Sequence, residues 1–190
     1  MTLGHSTRVF GCNDGAVYKL SADVSGTAPT YGTKVDVVGI KSLETTLATD
    51  TKQLRGDNTL LSADSVLKEI SGKLEYAKHN FDVWTALTSA LTTDSGTTPN
   101  QSSTMTITQT TNPAFFKTEV QSKQVDYVGG DIHVILWKCM PGNLPTGFME
   151  EDYRIQSTDF IAVPVIGTPA TAPATAWMTI TANETAVAIT

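Results

Sequence analysis

Asp131-Ile132-His133-Val134-Ile135-Leu136-Trp137-Lys138 is the most hydrophobic stretch of the chain. Its apolar residues fall on both parities. An extended segment of this kind puts apolar surface on both sides of a sheet, so it reads as a strand buried on both faces. Residues 153–163 are expected to pair with it, after a turn around Pro141-Gly142 and Pro145. Upstream, 103–108 alternates with Met105 and Ile107 on one side, and 115–120 follows Asn112-Pro113 as another strand. Downstream, 177–181 and 185–189 close the sequence as β segments. Threonine recurs throughout, in runs such as Thr45-Thr46, Thr92-Thr93, Thr97-Thr98 and Thr110-Thr111. A β-branched residue with a polar tip suits the solvated face of a strand. The fold class read from these features is mainly β.

The first half continues the pattern. Asn13-Asp14-Gly15 is a turn signal before the short strand Ala16-Val17-Tyr18-Lys19-Leu20. Residues 35–38 form a short extended piece. Residues 40–47 place Leu43, Thr45 and Leu47 on one face and Ser42, Glu44 and Thr46 on the other. In 66–77, Val66, Ile70, Leu74 and Tyr76 share one parity and Glu69, Ser71, Lys73 and Glu75 the other. One helix is predicted over about 81–91. Asn80 is its N-cap, Asp82 sits in the first turn, and Val83, Trp84, Leu87, Ala90 and Leu91 form a single apolar stripe. Residues 92–99 are rich in breakers. Three long loops are predicted, at about 21–34, 48–65 and 167–176. The second of these carries Leu54, Leu60 and Leu61 among charges, more apolar surface than a solvated loop usually bears, which calls for a partner to cover it. No internal repeat is evident, and 1–190 reads as one domain.

Composition narrows the function classes. The 190 residues are 40% hydrophobic and carry 13 basic and 19 acidic side chains, a net charge of -6. Only three are arginine: Arg8, Arg55 and Arg154. A protein that grips duplex DNA displaces counterions from phosphates with Lys and Arg, so tight nucleic-acid binding is not expected. No apolar run approaches the ~20 residues of a membrane span, and the first residues lack a signal-peptide pattern. Cys12 and Cys139 read as reduced, buried thiols. His5, His79 and His133 show no metal-ligand spacing. No dinucleotide, phosphate-loop, serine-hydrolase or zinc-protease motif occurs. The adjacent acids Glu150-Glu151-Asp152 read as a solvated turn, since neighbouring acids on an extended chain point different ways. Arg55-Gly56-Asp57 spells an adhesion tripeptide but reads as part of a turn. These features predict no catalytic site, cofactor or metal.

The order of several segments resembles the major tail tube protein of bacteriophages with long, non-contractile tails. The matching pieces are Ala16-Val17-Tyr18-Lys19-Leu20, Val35-Asp36-Val37-Val38-Gly39-Ile40-Lys41-Ser42, Leu54-Arg55-Gly56-Asp57-Asn58-Thr59-Leu60-Leu61, Glu75-Tyr76-Ala77-Lys78 leading into the helix, Glu150-Glu151-Asp152-Tyr153, and Asn183-Glu184-Thr185-Ala186-Val187-Ala188-Ile189. The resemblance implies a β-sandwich or open barrel with one flanking helix. It implies a structural subunit, not an enzyme, that forms hexameric rings stacked into a tube. The tube belongs to the virion tail, is made in the host cytoplasm, and conducts DNA during ejection without binding it tightly. Its other partners are then the tape measure, terminator and tail-tip proteins, with no membrane contact.

On that reading Lys52, Leu54, Arg55, Asp57, Leu60 and Leu61 contact the adjacent ring, and Ser42, Glu44, Thr46, Glu69, Ser71 and Glu75 face the lumen. Two other readings fit the same pattern. One is a related ring-former, such as a secretion-system tube or minor tail protein. The other is a carbohydrate-binding β-sandwich, which needs exposed aromatics on one face. The three tryptophans here are dispersed, one on the helix and two in apolar strands.

Overall fold

A computed structural model describes residues 8–57, 59–126, 129–145, 147 and 153–189. The elements are β1 (Val9–Ala22), β2 (Thr30–Tyr31), β3 (Val35–Asp36), β4 (Ile40–Gly56), β5 (Thr59–Tyr76), α1 (Phe81–Thr88), β6 (Leu91–Ser95), β7 (Ser102–Thr106), β8 (Phe116–Gln124), β9 (Asp131–Pro141), β10 (Gln156–Ala162) and β11 (Met178–Asn183). All pairings are antiparallel. The main sheet runs β2-β1-β8-β9-β10-β5-β4, with β11 on β9 and β3 on β1, and β6 and β7 make a separate hairpin. The sheet is open. It curls so that β4 returns toward β1: a methyl group on Gly15 would lie 2.5 Å from Ile40 Cδ1. The fold class read from sequence, mainly β with one flanking helix, is the observed one.

β9 is central, as its two-sided apolarity predicts. β8 lies along one edge; β11 takes the other edge from Asp131 to Leu136, and β10 takes it only from Cys139 to Pro141. The expected pairing of 153–163 with 131–138 is therefore corrected. Pairing starts beside the turn, where Gly142 N donates to Asp159 O over 2.6 Å, and in the ladder it is confined to Phe160–Ala162, while the other edge of β10 lies along β5 from Ile70 to Tyr76. The edge of β9 that it leaves is filled by β11.

The curl encloses Val17, Ile70, Leu74, Tyr76, Phe116, Leu136 and Phe160, with Val83 and Leu87 of α1 closing one side. Burying each such side chain stabilises the fold by about 1.5–3 kcal/mol. Phe116 and Phe160 meet edge to face, with centroids 6.0 Å apart. Gly72 is needed under that pair: a Cβ there would collide with the Phe160 ring and lie 2.7 Å from Glu44 O.

The helix starts where the sequence places it. Asn80 Oδ1 accepts from the Asp82 amide at 2.9 Å. It ends three residues early, because Ser89 turns left-handed at φ 58°. The Thr88 hydroxyl donates to Trp84 O at 2.8 Å and accepts from the Ala90 amide at 3.2 Å, which turns the chain out of the helix. Leu91, expected on the helix stripe, instead opens β6 and is 70% exposed. The breaker-rich 92–99 begins in that strand, tied to the helix by Thr92 Oγ1 at 2.8 Å from Thr85 Oγ1. Residues 185–189, expected as a strand, are irregular.

Of the predicted loops, 21–34 is shortened at one end by β1 and folds back through β2 onto Leu20 and Ala22. Residues 167–176 are irregular, but their start is not exposed. Gly167 and Pro169 are buried, and Thr168 N donates to Thr27 O at 3.0 Å. The anchor is Asp23, which accepts from the Ile166 and Gly167 amides and pairs with Lys138 Nζ at 2.8 Å. Burial pushes its carboxyl pKa up, but Lys138 and the two amides outweigh it and hold the group below the usual range. The remaining predicted loop, 48–65, is not a loop at all.

Candidate functional site: a projecting hairpin and the polar face at its base

Residues 48–65 are the distal part of the β4–β5 hairpin. The two strands pair rung by rung, Thr51 with Ser65, Lys52 with Asp64, Gln53 with Ala63 and Leu54 with Ser62, up to a tip at Asp57, where φ is 50°. Charge and a central Gly-Asp-Asn made this stretch look like a loop. Of these, Gly56 still belongs to β4 and Asp57 is the turn; the flanking Thr, Val and Leu are strand formers, and each strand satisfies the other's backbone. β10 covers β5 only from Ile70 onward. Beyond that point the hairpin stands as a two-stranded ribbon of nine rungs, from Ala48–Glu69 to Gly56–Thr59, roughly 27 Å long.

Among the described residues nothing covers this ribbon. Leu54, Leu60, Leu61 and Val66 are 62%, 54%, 63% and 66% exposed. Lys52, Arg55 and Asp57 are exposed as well, and Arg55 donates to Gln53 Oε1 at 3.1 Å. All six residues expected at an inter-ring contact therefore sit on one projecting element. Asn58, in the same motif, lies outside the described residues. An isolated two-stranded ribbon is marginal in water, and this one spends four large apolar side chains on solvent.

The base of the hairpin carries the other predicted set. Ser42 stands opposite Glu75, Glu44 opposite Lys73, Thr46 opposite Ser71 and Ala48 opposite Glu69. Directly opposed residues point to the same face, so the six expected residues share one face of β4–β5. Leu43, Ile70, Leu74 and Tyr76 point the other way into the core. Leu47 does not follow them. It lies beyond the core's edge and is 52% exposed. Lys73 pairs with Glu75 at 2.7 Å, and Ser42 Oγ donates to Glu75 at 3.1 Å. These contacts hold the Glu75 carboxyl below its usual range and the Lys73 amine above its own. An open cleft of about 410 Å³ runs across this face, lined by Glu44, Thr46, Ser71, Lys73, Asp159 and Ile161 among others.

The sequence reading missed one polar cluster altogether. His133, dismissed for lack of ligand spacing, is buried on β9 between two carboxylates: Nδ1 lies 3.0 Å from Glu119 and Nε2 3.0 Å from Asp131. Period-two spacing puts Asp131 and His133 on one face of β9, but the partner on β8 is visible only once strand register is known. Among the described residues no group of three or more His, Cys, Asp or Glu could hold a metal ion. Cys12 and Cys139 are free thiols, the first half-buried and the second buried. His5 and the acids Glu150, Glu151 and Asp152 lie outside the described residues. No described helix is long and apolar enough to cross a membrane. No family model and no curated protein matches the chain.

Proposed function

We propose that the chain is a structural subunit that assembles with its own copies into stacked hexameric rings, forming a tube of the phage-tail kind that conducts DNA. The observation that carries this reading is the uncovered ribbon. A ribbon of about 27 Å bearing Leu54, Leu60, Leu61 and Val66 gains stability when a neighbouring subunit covers it. The sheet also keeps open edges, at β4 and β11, which are templates for strand addition by another copy. On this reading the Ser42, Glu44, Thr46, Glu69, Ser71 and Glu75 face lines the channel. A polar wall of modest acidity repels phosphates over a Debye length of ~8 Å and does not hold its cargo. The Lys73–Glu75 pair leaves Glu44 and Glu69 to set the sign of that wall.

Electron microscopy of the concentrated protein tests the proposal. Tubes or six-fold rings are expected, with the 48–65 ribbon on an adjacent ring and Glu44, Glu69 and Glu75 toward the axis in a reconstruction. A species that stays monomeric at all concentrations would refute assembly. Tubes whose three carboxylates point outward or into a subunit interface would refute the lumen assignment alone.

A further inference from the structure

The curled sheet buries its concave face in the core. Part of the opposite face, over β1, β8 and β9, is covered by the segment after β11. Ile189 is buried there against Ala16, Tyr18 and Tyr31. The segment is tied down at four points. Ala186 N donates to Gly129 O at 2.7 Å and Val187 N to Asp131 Oδ2 at 2.7 Å; Val187 O accepts from Gln121 at 3.3 Å and Ile189 O from Lys34 at 2.8 Å. Asp131 is the hub. Its side chain is 2% exposed, and it also accepts from Asn183 at 2.7 Å, from Gln121 and from His133.

His133 is bonded to a carboxylate through each ring nitrogen. A neutral imidazole has one N–H, and only the imidazolium has two. With Glu119 and Asp131 both 3.0 Å away, loss of the proton turns a ring lone pair toward a buried carboxylate oxygen. That contact is repulsive, and the burial of all three side chains keeps bulk solvent from screening it. The other charged and titratable groups around the site do not take over the lost donor. On β8, Lys117 sits 3.4 Å from Glu119 and 3.8 Å from the centre of the Tyr18 ring of β1, and Lys123 stands opposite Asp131 in register but is exposed to solvent. The Tyr31 ring of β2 lies 5.4 Å from the same ammonium, and Lys34 is engaged by Asp36 and by Ile189 O. The donors from β11 and the covering segment are neutral, Asn183 and the Val187 amide, and the segment's one ionisable residue, Glu184, is exposed and supplies no donor.

We propose that residues 184–189 form a proton-dependent strap, latched over the β1–β8–β9 face while His133 is an imidazolium and released when His133 gives its proton to solvent. Release relieves the lone-pair contact by admitting water to Asp131 and Glu119, and it uncovers Ala16, Tyr18 and Tyr31. The direction follows from the contacts. Burial by itself lowers the His133 pKa, but the hydrogen bonds and charges of Glu119 and Asp131 outweigh it and raise the net value above 6.5. The strap is therefore fully latched below the ordinary imidazole range and loosens as pH rises through the raised value. None of this depends on whether copies of the chain assemble.

Amide hydrogen exchange of the intact protein, corrected at each pH for intrinsic exchange, reads the strap at Ala186 and Val187. Exchange at the His133 ring C2 position, in the same samples, reads its protonation. Protection of the two amides should fall with a midpoint matching that of His133, by about tenfold for each pKa unit that latching adds to the imidazole. His133→Gln, which has no proton to lose, should abolish the step. A flat profile for the two amides, a midpoint away from that of His133, or a step that survives in His133→Gln would overturn the proposal. The first two outcomes need no variant, so a failure of His133→Gln to fold leaves the test intact.

Discussion

Asp23 shows how much one side chain can organise. Its side chain is 5% exposed, and it joins three parts of the chain: the end of β1, Lys138 on β9 and the Ile166–Gly167 amides. Lys138 is largely covered, its side chain 12% exposed, with Nζ 4.8 Å from the Phe115 ring centre. Asp23→Ala strands that ammonium without its counter-charge. Loss of one member of a buried pair costs about 3–5 kcal/mol, so urea unfolding should show a large drop in midpoint. Asp23→Asn keeps an acceptor for the amides and should lose less. The sequence offers no local sign of this residue's importance. It lies at the edge of a Ser-, Thr- and Gly-rich stretch, and its partner is 115 positions away.

At the scale of elements, the ribbon separates folding from association. Leu60 and Leu61 make no part of the core, so Leu60→Ser with Leu61→Ser should move the unfolding midpoint of the free subunit little, within the roughly 0.5 kcal/mol per substitution usual at exposed sites. The same double variant should fail to form tubes under conditions where the parent does, as scored by sedimentation. Unchanged sedimentation would remove the ribbon from the assembly contact. Strands whose faces differ in polarity were legible without the fold: the Ser42–Glu75 face follows from parity alone, and β9 announces itself by apolarity on both sides. The distal ribbon was not legible. Period-two patterning marks a strand only when one face is buried, and here both faces are wet. Leu91 and the β6–β7 hairpin escaped for a related reason: helix spacing continued past the residue where Ser89 ends the helix.

For the molecule as a whole, buried charge sets a pH window. Asp131, like Asp23, has its pKa pushed up by burial and then held below the usual value by the donors around it. A carboxylate depressed in the folded state contributes stability that is present above its unfolded pKa and lost as pH falls through the folded one. Thermal midpoints should therefore decline below about pH 4, the ordinary carboxylate range, and Asp23→Asn should flatten part of that decline. The pairing of β4 with β5 has a consequence of another kind, for length. Each rung reverses the side chains, so the ribbon is a measuring rod graduated in steps of two. Removing Thr51 and Lys52 together with Asp64 and Ser65 takes out two opposed rungs. The tip keeps its orientation and retreats by about 7 Å. Removing Thr51 and Ser65 alone turns Leu54 and its neighbours to the opposite side. In natural variants of this chain, insertions and deletions within the hairpin should therefore come in matched, even sets on the two strands, while tip residues change freely in identity.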